Sequence, residues 1–456
     1  MTNEYHPNMA VTLFTVTEES PFEASATNDG FTGIVLNAMR RQNGDTCVIS
    51  SPEAAINSLR ETLAHSAANY DGVNCGRRRE YDLKGLAVRY PAMPDMYTQI
   101  DTWLRGHMLV RTENKKAFGE ACEDMMVEYY ADELWDKLPA ADMQKIEDAW
   151  NSGEDKFKKC KMPKKDDVYE TYANKLFKRS AILYVQAGQA LTTADPSART
   201  VHAPSILLQD ESAGAGNCVP LSRRGTSTAI SRVWAIDVGA AILDKLNPRL
   251  PYKEALDIAD LELSLVWHAI LSLGHVGGNK SRGYYPQVPR SVAVWASHLR
   301  ATAPFSSCFE GPDKAEELIA NLKSGYYDDP GFPKLLPEDW HMFLGGAAFE
   351  DTTFDETERA TEHTVEAAFV ALHRSVMDWW HKKAEVEGKE AAHNSRREVL
   401  LKRSEILSAV YKNMREKKAA ADKKAAAKKK ADAEAKAEEK KAAKKAKAAT
   451  KATAKA

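Results

Sequence analysis

Residues 252–273, YKEALDIADLELSLVWHAILSL, are the stretch that most constrains the fold. The run has the length and apolar content of a buried helix, and Gly274 follows where a helix-ending glycine belongs. Beyond it the chain reads GHVGGNKSRGYYPQVPRSVAVW, residues 274–295. The first eight residues approach a phosphate-binding loop, G-x-x-x-x-G-K-[ST], with Gly274, Lys280 and Ser281 in place. Asn279 stands where the second glycine belongs. A P-loop also follows a strand and opens a helix. This stretch follows a helix, Pro286 and Pro289 forbid an immediate new one, and SVAVW (291–295) reads as a strand. It is not an ATP site.

Other elements are legible from local pattern. AVTLFTVT at 10–17 suits a buried strand. Gly44-Asp45 marks a turn before the apolar pair Val48-Ile49. The run SSPEAAINSLRETLAHS then signals a helix start: Ser51 suits the cap, Pro52 the first helical position, and Ser50 to Glu53 has capping-box spacing. Ile56, Leu59 and Leu63 share one face of that helix, with Asn57 and Arg60 on another. RVWAIDV at 232–238 reads as a further strand. The charge-rich residues 112–177, broken by FKKCKMPKKDD, read as an inserted, mostly helical subdomain. Residues 192–228, rich in Thr, Ala, Ser, Gly and Pro, are too long for a plain connection. Two long helices are predicted at roughly 356–388 and 395–416. The last forty residues, almost entirely Ala, Lys and Glu, cannot bury a core and should be a solvated helix or disordered.

Charge is divided unevenly. The formal net charge is −2. From Arg415 to the end there are 16 basic and 6 acidic residues, so the preceding 414 residues carry a net −12. An acidic body argues against a general nucleic-acid coat and confines any polyanion site to a local basic groove. The six cysteines are widely spaced with no C-x-x-C pair, which fits reduced cytosolic thiols rather than zinc ligands or disulfides. No secretory signal and no 18-residue apolar run occur, so the expectation is a cytoplasmic protein with no membrane partner. No H-E-x-x-H or G-x-S-x-G motif is present, and His363 and His373 are not at helical metal-pair spacing. No metal, cofactor or catalytic residue is expected.

Four segments, in order, resemble the backbone subunit of the type I CRISPR effector complex (Cascade), in the DevR/CasC-like branch of the RAMP superfamily, type I-B or related. They are TCVISSPEAAINSLRETL (46–63), YTQIDTWLRGHMLV (97–110), FKRSAILYVQAGQAL (177–191) and GHVGGNKSRGYYPQVPRSVAVW (274–295). Trp103 and Arg105 depart from that family's usual second segment, and the Lys/Ala tail belongs to no family pattern.

The resemblance implies an α+β fold: a modified RRM/ferredoxin-like palm with a helical finger insertion, a thumb β-hairpin, C-terminal helices and the tail. The corresponding division is 1–111 and 178–191 palm, 112–177 fingers, 192–231 thumb, 232–355 palm again, 356–416 C-terminal helices and 417–456 tail. It also implies a non-enzymatic subunit whose copies line a CRISPR guide RNA alongside other Cascade subunits, leaving the bases free to pair with target DNA.

A sequence-blind grip of that kind needs backbone N–H groups, hydroxyls and a few cations on phosphates. Candidates are Ser50 and Ser51 at the helix start, whose amides and dipole favour phosphate, with Asn57 and Arg60, one turn apart, extending that contact and Arg40 and Arg41 before the turn. Gly277, Gly278 and Asn279 allow close backbone approach, with Lys280 and Arg282 beside them. Arg223 and Arg224 lie in the hairpin. Ordinary readings stand beside these: caps for the serines, a turn for the glycines, solvated charge for the arginines. Two rival functions remain open. One is a histone-like DNA-binding or packaging protein acting through its tail. The other is an RNA-cleaving type III-like relative using Asp29 or Asp45.

Overall fold

The computed structural model describes residues 10–18, 20–23, 26–28, 34–36, 38–40, 46–67, 69–71, 73–75, 80–81, 87–89, 95–108, 115–153, 178–191, 197–204, 218–274, 276, 286–297, 340–347, 364–386 and 388–453. The chain divides into two units, Met1–Val110 with Ala173–Asn394, and Arg111–Tyr172 with Ser395–Ala456.

The first unit opens with β1 (Ala10–Thr17), β2 (Ser20–Glu23), β3 (Ala26–Asn28), β4 (Ile34–Leu36), β5 (Ala38–Arg40), β6 (Thr46–Ser50) and α1 (Pro52–Ala67). It continues through β7 (Glu80–Tyr81), β8 (Ala87–Arg89), α2 (Ile100–Arg105) and β9 (His107–Met108). The second unit then contributes α3 (Lys115–Tyr129), α4 (Ala131–Asp136) and α5 (Ala140–Asn151). On return come β10 (Lys178–Arg179), β11 (Leu183–Val185), β12 (Gly188–Ala190), β13 (Ser197–Pro204), β14 (Cys218–Thr228) and β15 (Ile230–Asp237). Helices α6 (Val238–Lys245) and α7 (Tyr252–Leu271), strands β16 (Pro289–Ser297) and β17 (Trp340–Gly346), and α8 (Val365–Val386) complete the set before α9 (Lys389–Thr453). The architecture is α+β.

An eight-stranded sheet runs β17-β16-β1-β15-β12-β6-β5, with β11 also on β15, and its pairings are antiparallel. The register places Leu13 beside Trp234 and Val294, and Val11 beside Ile236 and Ala296. Side chains alternate across a strand, so these residues share one face. That face meets Leu59 and Leu63 of α1, Leu256, Leu263 and Val266 of α7, and Phe369, Leu372 and Trp380 of α8 in one buried core. Burying each large aliphatic side chain stabilises the unit by about 1.5–3 kcal/mol relative to exposure. Trp380 lies within this core and Trp379 packs against it.

Strands β13 and β14 form a long hairpin within the predicted 192–231 span, and β2 joins it as a third strand. The first residues of α9 tie down α7: Asn394 Oδ1 accepts from the Tyr252 amide at 3.0 Å, which Pro251, lacking a capping side chain, leaves unmet. In the second unit Arg396 pairs with Asp132, Arg403 lies over the Trp135 ring at 5.8 Å, and Arg415 pairs with Glu123 and Asp124. The predicted boundary near 416 is absent, because α9 continues to Thr453. Ala, Lys and Glu are strong helix formers, and residues 416–429 are exposed throughout. No helix among the described residues is long and apolar enough to cross a membrane.

Candidate nucleic-acid interface

The junction of β6 and α1 is built from TCVIS and PEAAI. Ser51 caps the helix: its Oγ accepts from Ala54 N at 3.1 Å and its carbonyl from Ala55 N at 3.3 Å. Pro52 has no N–H to offer. The Ser51 hydroxyl donates to Glu53 at 2.8 Å, and Glu53's own backbone amide holds its carboxyl below the usual range. The sequence reading of a helix start with free amide donors is therefore corrected. Ser51 takes the Ala54 and Ala55 amides, and Glu53 adds a negative charge at the entrance.

Ser50 faces the other way. It is buried at 2% exposure beside two other buried polar residues, Gln287 at 2% and Arg232 at 4%. Arg232 donates from Nη2 to Ser50 Oγ at 3.0 Å and from Nη1 to Gln287 Oε1 at 2.8 Å. Gln287 Nε2 also donates to Ser50 Oγ at 3.4 Å. The guanidinium lies 5.7 Å from the Trp234 ring. Gly188 opposes Ser50 across the β12–β6 pairing, and a Cβ there would fall 2.5 Å from Arg232 Nη2. Burial alone pulls the Arg232 pKa down to about 9, so it is charged at neutral pH. Gln287 N donates to Leu273 O at 2.9 Å, which closes the stem of the 274–286 segment against the end of α7.

The second motif segment is fixed by buried charge. Arg60 turns from α1 into the unit, donating from Nε to Asp101 Oδ2 at 2.9 Å, and Asp101 has no side-chain exposure. Trp103 donates to Ala241 O at 2.8 Å. The Lys245 ammonium lies 5.4 Å from its ring and pairs with Glu262, both fully buried. Burial raises Glu262 to about 6 against the pull of Lys245, and burial likewise lowers Lys245. Strand β9 pairs with β10, and Arg179 pairs with Asp244.

The other sequence candidates are placed as follows. Asn57 is exposed on α1. The backbone of Arg40 pairs with Thr46 at the β5 edge of the sheet. Arg223 and Arg224 stand on β14 opposite Arg199 and Ala198, in the three-stranded sheet rather than beside Ser50. Arg41, Gly277, Gly278, Asn279, Lys280 and Arg282 lie outside the described residues, as do Asp29 and Asp45. Sequence reasoning missed Arg232, Gln287 and Asp101. Arg232 left a signal, a lone cation in the apolar strand ISRVWAID, and Gln287 sat between two prolines.

No protein-family model matches the chain, and no curated protein matches it. Among solved structures it is similar to a chain of a "CRISPR RNA-guided surveillance complex", with TM-score 0.41, 9% identity, and coverage of 80% of this chain and 99% of that one. A chain of a "CRISPR RNA-guided surveillance complex, pre-nicking" gives TM-score 0.40, 9% identity, and coverage of 80% and 100%.

Proposed function

We propose that this chain is the guide-RNA-binding backbone subunit of a type I CRISPR surveillance complex, in the DevR/CasC-like branch, which oligomerises along the guide and holds it for pairing with target DNA. The observation that carries this reading is the meeting of four segments far apart in sequence. Ser50 of the first segment is bonded to Gln287 of the fourth, and Gly188 of the third pairs with Ser50. Arg60 of the first is bonded to Asp101 of the second. The motifs that resemble this family thus form one connected structure around the β6–α1 junction.

A phosphate grip also fits the chemistry of that junction. Buried Ser50 and Arg232 brace the stem of a Gly/Lys/Arg segment, whose cations suit contact with a sugar-phosphate chain and leave base edges unread. In this proposal the subunit binds and does not cut. The exposed, lysine-rich residues 416–429 of α9 favour one second reading, a histone-like DNA-binding protein acting through that helix.

One experiment separates the two. The chain is expressed with its genomic neighbours and a repeat-spacer RNA, purified by size in moderate salt, and its nucleic acid extracted. A discrete RNA of one length bound by several copies supports the guide-complex reading. Heterogeneous DNA that disappears when residues 417–456 are removed supports the histone-like one, and the absence of nucleic acid overturns both.

A further inference from the structure

Three cations with little exposure in the first unit have carboxylate partners: Lys245 with Glu262, Arg60 with Asp101 and Arg179 with Asp244. Arg232 is the exception. At 4% exposure it has only neutral hydrogen-bond partners, and its Nε has none among the described residues. A buried guanidinium is ordinarily paired with an acid because desolvating an unpaired charge is costly.

We infer that Arg232 is a positioning residue whose charge is kept uncompensated for a bound phosphodiester backbone, so that RNA phosphate at the β6–α1 junction acts as its counter-ion. This rests on the guide-RNA reading. Ser50 Oγ accepts from both Arg232 and Gln287, which uses its two lone pairs and leaves its own proton to donate. Arg232 therefore fixes Ser50 as a donor, and through Gln287 it also holds the stem of the 274–286 segment. Its field acts through a poorly solvated interior, where charge is weakly screened. A glutamate at 287 would place a carboxylate where Gln287 Oε1 now lies, 2.8 Å from the guanidinium. The chain carries the neutral isostere instead.

The test is Gln287→Glu in the full chain, assembled with its RNA as above and compared with wild type for denaturation midpoint and RNA affinity. The expected result is a higher midpoint with about tenfold weaker RNA binding. A higher midpoint with unchanged affinity would make the cluster purely structural and overturn the inference. Arg232→Lys and Arg232→Met provide an independent check should the glutamate variant misfold. Retained affinity in the lysine variant and loss in the methionine variant support a role for the charge, whereas equal loss in both overturns it. A wild-type chain that carries no RNA removes the functional reading and this inference together. Wild-type RNA binding that Gln287→Glu leaves unchanged removes the inference alone.

Discussion

Arg60 and Asp101 are 41 residues apart and joined by a hydrogen bond from Nε to Oδ2 of 2.9 Å, with the carboxylate fully buried. Arg60→Ala would leave that carboxylate without its cation. Removing one partner of a buried pair costs about 3–5 kcal/mol, whereas replacing both with apolar residues is far milder. Chemical denaturation should show a loss of that size for Arg60→Ala, with at least half recovered in Arg60→Met/Asp101→Leu. No greater stability in the double variant would mean that the pair is not what holds α1 to α2.

Glu262 gives a pH signature. Its folded pKa of about 6 lies above the roughly 4.3 of an unfolded glutamate. The folded state therefore binds the proton more tightly, and the resulting stabilisation, complete below pH ~4, is lost as pH rises through 6. It amounts to about 2 kcal/mol. Glu262→Gln should flatten the stability profile between pH 4 and 6. At pH 7 it should not lower stability, because the raised pKa already counts the pull of Lys245 and still favours the neutral form at 262. A profile of unchanged slope would show that Glu262 does not titrate there.

Gly106 has φ +70°, and a Cβ on it would fall 2.3 Å from the Arg179 carbonyl oxygen. The tight turn between α2 and β9 therefore needs glycine. Gly106→Ala should destabilise by more than about 1 kcal/mol. Gly153 has the same φ but nothing within 4 Å, so Gly153→Ala should cost less. Thermal melts of the two variants side by side would expose any reversal of that order.

Lys280→Ala should weaken RNA binding and lower the slope of log affinity against log salt by about 0.7, the loss of one single-strand phosphate contact. Removal of residues 417–456 should leave guide assembly largely intact. An unchanged slope would take Lys280 out of the site, and failure to assemble without the tail would make α9's lysine-rich end part of it.

Local pattern was enough for several of the elements. AVTLFTVT alternates in a run that became β1 at the same residues, and Pro52 after Ser51 began α1 where Ser51 caps it. The apolar run from Tyr252 became α7. Each follows from near-neighbour chemistry: turn residues, caps and periodicity. The same reasoning listed Ser50 as a candidate but attributed it to open amides, and it placed Arg60 on an outward face. Both depend on partners no local rule can supply: Arg232 and Gln287 for Ser50, and Asp101, arriving from the next helix, for Arg60.

What the sequence determined by itself is a set of elements, among them β1, α1, β15, α7 and β16, because propensity and burial pattern act within a few residues; the α+β class came with the family resemblance. Which polar groups meet was decided only by the tertiary structure. Arg232, Ser50 and Gln287 lie 182 and 55 residues apart along the chain, counted from the arginine. They touch because β6, β12 and β15 align in one sheet and the segment after α7 closes against it. Burial then turns ordinary side chains into a charged centre, since a group's energy inside a protein depends on its neighbours in space.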